Sequence, residues 1–171
     1  MSKSTATRQL SETDLLIFKA RAKKIEFIDL GLPSGRLWAT ENEEGYYTYD
    51  EAKEKFGELL PKPEAFQELW KECRWFWDVK NKGMIVVGPN KNTILLPVCG
   101  YRVTDGWYIH NSSHGYYCSS EMNASYCTVL EFNAEAVWPM SIVYCLRGFS
   151  VRLCREVCAK GNTATATPHG Q

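Results

Sequence analysis

Residues 27–40, FIDLGLPSGRLWAT, hold two short segments separated by a turn sequence at 32–35. Pro33 and Gly35 suit a turn because proline presets one backbone angle and glycine tolerates the positive φ that tight turns need. FIDLG and RLWAT on either side are the candidate strands. This stretch therefore predicts a strand pair from which the rest of the fold continues.

Two helices are predicted after the strand pair. Thr48 and Glu51 form a capping box for YDEAKEKF, and Gly57 is expected to end that helix. Pro63 suits the first turn of a second helix in KPEAFQELWKEC. Four apolar residues recur there at helical spacing, and we expect all of them in the core: Phe66, Leu69, Trp70 and Cys73.

After residue 74 the apolar period moves toward two, and turn residues become frequent. MIVVG and TILLP flank a hairpin connection at 89–92, and Asp105-Gly106 marks another turn. GYRVT, YYCSS, TVLEF and FSVRLC are further strand candidates. Two early helices followed by short strands predict an α+β fold, with the helices packed on mostly antiparallel strands.

A series of short motifs runs through residues 27–155 in a fixed order: DLGLPSGRLWAT (29–40), LP (60–61), FQEL (66–69), CRW (73–75), GPN (88–90), ILLP (94–97), GYR (100–102), GYYCSS (115–120) and GFSVR (148–152). In this order they resemble the Fibrobacter succinogenes major paralogous domain family, which is abundant in Bacteroidetes and their phages. The sequence departs from the family pattern at Cys118, where Trp is usual, and at Leu153-Cys154, where Pro-Val is usual.

The resemblance implies a C-type-lectin-like fold, related to that of the formylglycine-generating enzymes. Because this fold brings its two ends together, residues 27–32 are expected to form a strand close to the one containing Phe149 to Cys154. Family members that are diversified by retroelements, as in phage receptor-binding proteins, use the C-terminal part of the fold as a variable ligand-binding face.

Three late segments mix aromatic, apolar and small polar residues without a clear period: 107–114, 123–128 and 141–146. Loops on a rigid scaffold concentrate recognition residues, and antibody paratopes favour Tyr, Trp, Ser and Asn. We therefore predict a ligand-binding face, with ordinary variable loops as the alternative. Its candidate residues are Trp107, Tyr108, Ile109, His110, Asn111, Asn123, Ser125, Tyr126, Ser141, Val143 and Tyr144.

The same segments are compatible with adenine-directed mutagenesis. Randomising both adenines of an Asn codon never produces Trp, Met, Lys, Glu or Gln, and residues 108–114, 123–130 and 141–146 contain none of these types. Sibling sequences from one lineage should then differ mainly in the three segments. Four residues are expected to stay constant: Trp107, Trp138, Met140 and Gly148.

Other conspicuous residues are assigned to structure. Trp38, Trp70, Trp75 and Phe149 are expected in the core, and Arg152 is expected on a strand, with its stem buried and a carboxylate as its partner. His110 and His114 are four apart, but no helix is predicted there to bring them onto one face. Glu131, Asn133 and Glu135 are a weak calcium candidate. We predict no catalytic residue, metal or cofactor.

Composition narrows the partner classes. Lys plus Arg (20) equals Asp plus Glu (20), so no global field favours nucleic acid. No apolar run approaches the length of a transmembrane helix, and no secretory signal is evident. We expect synthesis in the cytoplasm, with incorporation into a phage particle as the further alternative. In that compartment most of the seven cysteines should be free thiols, with no disulfide needed for folding.

The sequence divides into an N-terminal segment (1–26), the domain (27–158) and a polar tail (159–171) that is expected to be disordered. Residues 11–24 predict a short amphipathic helix that could dock to a fibre or to further copies of the chain. The main hypothesis is a retroelement-diversified receptor-binding protein of phage or prophage origin, which recognises a protein or glycan on a bacterial surface. The alternatives are a structural assembly module of the same fold and an enzyme of the formylglycine-generating group.

Overall fold

The strand pair at the start of the fold is present in the computed structural model, which describes residues 25–110 and 112–157. β1 (Phe27–Asp29) pairs antiparallel with β2 (Leu37–Ala39). The turn between them is closed by a 2.9 Å hydrogen bond from the Gly35 amide to the Leu32 carbonyl. The predicted helix at 11–24, the tail at 159–171 and the candidate residue Asn111 lie outside the described residues.

The two ends of the described chain meet in one sheet. β11 (Cys154–Arg155) pairs antiparallel with β2, and the strand order is β1-β2-β11. The expected closeness of these ends is confirmed, although β1 and β11 flank β2 and both are shorter than predicted. Residues 149–153 form only isolated bridges, from Phe149 to Tyr47 and from Ser150 to Tyr117. Their side chains are all buried, so this segment crosses the interior and does not lie on one face.

The two helices begin and end as their cap residues predict. α1 (Tyr49–Phe56) has the complete capping box, in which the Glu51 amide donates to Thr48 Oγ1 and the Thr48 amide donates to Glu51 Oε2. Gly57 ends α1 with a positive φ of 52°, and a single 3-10 turn (Gly57–Leu59) follows. α2 (Pro63–Glu72) starts at Pro63.

The later strands form three antiparallel arrangements. β3 (Arg74–Asp78), β4 (Gly83–Val87) and β5 (Thr93–Pro97) form a meander that includes the predicted β4–β5 hairpin, whereas β3 was not predicted. β6 (Tyr101–Arg102) pairs with β7 (Tyr108–Ile109). β8 (Gly115–Asn123), β9 (Tyr126–Phe132) and β10 (Val137–Tyr144) form a sheet in the order β10-β9-β8. The described chain therefore has an α+β fold with mostly antiparallel strands.

The β8–β9–β10 sheet separates two clusters of buried side chains. Leu130 and Phe132 of β9 join Trp38 and Phe66 in the cluster under α2. Val129, on the opposite face of β9, belongs to the second cluster. Because neighbouring residues of a strand point to opposite faces, β9 contributes to both clusters. The outer edge of this sheet is β10.

The prediction that Trp70 is core is wrong, since its side chain is 48% exposed. Phe66, Leu69 and Cys73 are buried, at spacings of three and four residues. Trp70 lies beside this stripe, on the flank of α2. Trp75 is half-buried against the first cluster, and its indole N–H donates to the Leu69 carbonyl. No helix in the described ranges is long and apolar enough to cross a membrane.

Candidate ligand-binding surface

Two of the three predicted segments come together at one end of the β8–β9–β10 sheet. Residues 123–128 form the β8–β9 turn and the start of β9, and residues 141–146 form the end of β10 and the turn after it. Tyr144 pairs with Tyr126, and their ring centroids are 6.0 Å apart. The Cys145 amide donates to the Ser125 carbonyl at 2.9 Å. Tyr126 and Tyr144 are 52% and 43% exposed.

The segment at 141–146 has a regular two-residue period that the sequence reasoning missed. Along β10 the side chains alternate between partly buried and exposed positions. Ser141 and Val143, both predicted as contact residues, are partly buried, and Val143 packs against the second core cluster. Ile142, which was not predicted, is 67% exposed. The predicted surface at β10 is therefore corrected to Ile142 and Tyr144.

Tyr126, Ile142 and Tyr144 form a mostly apolar surface that we call the edge face. Tyr126 and Ile142, together with Met122 near the end of β8, line a shallow hollow of about 370 Å³, whose other lining residues are Glu121, Asn123, Ala124 and Thr128. Among the described residues that line it, Glu121 alone carries a charge. The hollow can therefore take an apolar group with few charged contacts.

The exposed residues Asn123 and Ser125 lie in the β8–β9 turn that borders the edge face. Ala124 between them has a positive φ of 52°, which a tight turn between two antiparallel strands requires. Met122 was not predicted as a contact residue. Met122 pairs with Cys127 across the β8–β9 ladder, and its nearness to the turn is the signal that could have placed it at the hollow.

The third predicted segment occupies a neighbouring surface. Trp107 is 73% exposed, and the ring of Tyr108 lies 5.0 Å from that of Tyr46. Ile109 is partly buried, and it pairs with Tyr101. His110 is exposed and has a positive φ of 55°. This part of the surface is aromatic as well.

Tyr101 and Arg147 connect the third segment to the end of β10. The ring centroid of Tyr101 lies 6.3 Å from that of His110. On the other side, the Arg147 guanidinium lies 4.5 Å from the same Tyr101 centroid. The Arg147 amide donates to the Tyr144 carbonyl at 3.2 Å. Tyr101 thus lies between the third segment and the turn after β10, whereas the other two segments pair directly.

The histidines and the weak calcium candidate are engaged in contacts within the chain. The rings of His110 and His114 lie 4.9 Å apart. His114 Nδ1 lies 2.9 Å from Ser113 Oγ, and its Nε2 lies 3.4 Å from Asn133 Nδ2. Asn133 Oδ1 accepts the amides of Glu135 and Ala136. The described part of the chain holds no group of three His, Cys, Asp or Glu side chains that could bind a metal ion.

The cysteines of the described residues are all free, and Cys145 alone among them is partly exposed. Burial raises the pKa of the Cys127 thiol to about 12 and that of Cys73 to about 11. Only a thiolate is an effective nucleophile, so these buried thiols are inert near neutral pH.

Arg152 is fully buried but does not pair as predicted. Its guanidinium donates to Asn42 Oδ1 at 2.8 Å, to the Ala39 carbonyl at 2.9 Å and to the Leu95 carbonyl at 2.6 Å. The segment around it is not a regular strand, so the guanidinium reaches neutral acceptors on two different strands and a loop. Arg152 is thus a structural cross-link between the first sheet and β5.

Comparisons with known proteins add no relative. A scan against protein-family models gives no match, and searches of curated proteins and of solved structures give none either.

Proposed function

We propose that this protein is a ligand-binding display domain: a retroelement-diversified receptor-binding protein of phage or prophage origin with a C-type-lectin-like fold. The ordered motifs between residues 27 and 155 support the family. The α+β class, and the sheet that joins β1 and β11, are compatible with that fold. Synthesis in the cytoplasm and later incorporation into a phage particle belong to the same proposal.

The observation that supports the proposal best is that exposed side chains of the edge face stand on a backbone that is held in a strand ladder. Tyr126 and Tyr144 are about half exposed, while their backbones pair in the antiparallel β9–β10 ladder, whose register is regular from Ser141 to Tyr144. Their neighbours Cys127 and Val129 are buried. Side chains at such positions can change without opening a cavity in the core, whereas substitutions of the buried neighbours cannot. The sheet is thus suited to present variable residues.

The chemistry of the surface suits recognition. Tyrosine and tryptophan supply a large contact area with few torsions to immobilise, and they are frequent among residues that dominate binding energy. Tyr126 and Tyr144 are exposed on the edge face, and Trp107 and Tyr108 are exposed on the neighbouring surface. We infer a protein or a glycan on a bacterial surface as the ligand.

Deep sequencing of this locus in one bacterial population tests the proposal. We expect substitutions concentrated in 108–114, 123–130 and 141–146, with Ile142 and Tyr144 varying more than Val143, whose side chain faces the core. Trp107, Trp138, Met140 and Gly148 should stay constant. Trp138 and Met140 make this a strict test, because both are about two-fifths exposed and packing alone does not hold them constant.

Exposed apolar residues elsewhere provide the matched comparison. Phe76 and Val79 are exposed on the β3–β4 hairpin, outside the three segments. If they vary as often as Tyr126 and Tyr144, or if changes spread evenly along 27–155, no diversified binding face exists and the proposal is wrong.

A further inference from the structure

The outer edge of β10 carries backbone groups that point away from its sheet. β10 is the end strand of the order β10-β9-β8. The hydrogen bond from the Cys145 amide to the Ser125 carbonyl shows that the backbone N–H of Cys145 points toward the β9 side. The direction of the backbone N–H and C=O groups alternates along an antiparallel strand. The backbone groups of Ser141 and Val143 therefore also point toward β9, whereas those of Ile142 and Tyr144 point away from the sheet.

These outward groups have no backbone partner in the described ranges beyond one turn contact. The Tyr144 carbonyl accepts the Arg147 amide, whereas the N–H and C=O of Ile142 and the N–H of Tyr144 make no backbone hydrogen bond there outside the strand ladders. An unpaired row of this kind is a template for a further strand.

One half of this edge is protected and the other half is open. Pro139 and a register shift between Trp138 and Ser141 interrupt the first half, and Gln67 of α2 contacts Met140 there. The second half, residues 141–146, contains neither a charged residue nor a proline. Exposed edge strands usually carry a charged residue, a proline or a bulge that prevents pairing with another chain. A stretch with none of these features therefore indicates an edge that binds a partner strand.

The side chains next to the open edge suit an extended chain. Ile142 and Tyr144 stand beside the edge on the same face of the sheet, and the hollow lies on the β9 side of Ile142. In strand addition, main-chain hydrogen bonds supply affinity, and pockets for alternate side chains supply specificity. A sugar would instead place hydroxyl groups against a mostly apolar surface, where unpaired polar groups are costly.

We propose that the edge face binds an extended polypeptide segment, which adds as a strand to the outer edge of β10 and places apolar side chains, two residues apart, against Ile142 and Tyr144. This inference rests on the proposed function and narrows its ligand from a protein or glycan to a peptide strand.

Selection of peptides tests the inference with a defined probe. An mRNA-displayed library of random peptides is selected against the full chain, and each enriched peptide is resynthesised with one N-methylated amide at a time. Strand pairing predicts that methylation at every second amide weakens binding about tenfold, the effect of roughly one hydrogen bond, while the amides between tolerate it. Uniform tolerance, or no enriched peptide, overturns the inference.

Two substitutions at one position separate backbone from side chain. Ile142→Pro removes an outward N–H, a change that edge strands accept, and also replaces the isoleucine side chain. Ile142→Thr keeps this N–H and the branched shape. We expect Ile142→Pro to weaken peptide binding about tenfold or more, and Ile142→Thr to weaken it less, with circular dichroism as the check on folding. Equal losses contradict strand addition, and the methylation scan decides the matter if Ile142→Pro does not fold.

A glycan array and analytical ultracentrifugation distinguish the remaining outcomes. Glycan binding that Tyr144→Ala abolishes, without peptide binding, overturns the peptide inference and leaves the proposed function standing. Absence of any peptide or glycan that depends on the edge face removes both. A dimer that Ile142→Pro dissociates shows that a second copy of the chain occupies the edge, which also overturns the inference.

Discussion

Tyr144 lies directly across from Tyr126 on the neighbouring strand, with the two rings inclined at 69° and their centroids 6.0 Å apart. Edge-to-face pairs of this kind stabilise each other by about 0.5–1.5 kcal/mol. The strand ladder fixes the position of both side chains, while each ring keeps a large part of its surface in solvent. The pair is therefore a rigid aromatic contact surface that contributes little to the core.

The first prediction is that either tyrosine can be removed with a loss of binding but little loss of stability. Tyr126→Ala and Tyr144→Ala should each weaken binding of the selected peptide by roughly 30-fold, as expected of a dominant interface residue. Each should lower the free energy of unfolding by only about 1 kcal/mol, because the rings are half exposed. Isothermal titration and urea unfolding measure the two effects.

Phe76→Ala is the matched control for these variants. Phe76 is also an aromatic residue on a strand, and it is 49% exposed, but it lies on β3 outside the edge face. Its removal should leave peptide binding unchanged. If Phe76→Ala and the tyrosine variants reduce binding equally, the effect is not local to the edge face.

The sequence predicted those parts of the fold that depend on local chemistry. The capping box of Thr48 and Glu51 and the position of Pro63 in the first turn of α2 satisfy backbone groups within a few residues. The β4–β5 hairpin follows from two apolar runs and a turn sequence. These signals lie within the element itself and do not depend on what packs against it. The sequence was therefore sufficient to predict these elements.

The errors occurred where a side chain's environment depends on distant segments. Trp70 has the right spacing for the buried stripe, but whether it is covered depends on where the sheet under α2 ends. For β10, burial alternates along the whole strand, but apolar side chains occupy both the exposed and the partly buried positions, so an alternation of apolar and polar residues is not visible in the sequence. The candidate segments were found from composition, whereas the exposed members could be identified only after β10 was paired with β9.

The second prediction concerns the buried guanidinium. Arg152→Met leaves Asn42 Oδ1 and the Ala39 and Leu95 carbonyls without the donors they now have. Each unsatisfied buried group costs roughly 1–3 kcal/mol, so the free energy of unfolding should fall by about 3 kcal/mol or more. Urea unfolding measures it. Arg74→Met, at an exposed arginine of β3, should change it by less than about 0.5 kcal/mol. If Arg152→Met lowers the free energy of unfolding by no more than Arg74→Met does, Arg152 is not a structural cross-link.

The third prediction concerns the close contact of Gly115 with Phe132 across the β8–β9 pair. A Cβ atom at Gly115 would lie only 2.2 Å from Cζ of the fully buried Phe132 ring. Gly115→Ala should therefore destabilise the fold by about 2 kcal/mol, within the range for overpacked cores. Phe132→Leu shortens the clashing side chain, so the double variant should lose less than the sum of the two single losses in urea unfolding. Strict additivity would show that the contact is not the cause.

The last prediction is a loss of stability at alkaline pH. Burial raises the pKa of the Cys154 thiol to about 12, against the smaller opposing effect of Arg36, and burial also raises the pKa of Tyr46 to about 12. In the unfolded chain a cysteine releases its proton near about pH 8.5. Between these values the unfolded state loses the proton that the folded state keeps, so the free energy of unfolding falls as the pH rises. This contribution of Cys154 is fully present below about pH 8.5 and is lost progressively up to about pH 12.

Cys154→Ala isolates this contribution. The substitution removes one titrating group, so the fall in unfolding free energy between about pH 7.5 and 10.5 should be smaller than in the unsubstituted protein, by up to about 1.4 kcal/mol per pH unit. Urea unfolding at both pH values, with a reductant present, measures the difference. Ser119→Ala is the control: Ser119 is equally buried but does not titrate in this range, so its variant should show the original pH dependence. If Cys154→Ala and Ser119→Ala respond identically to pH, the Cys154 thiol does not stay protonated in the folded state to the extent that its burial implies.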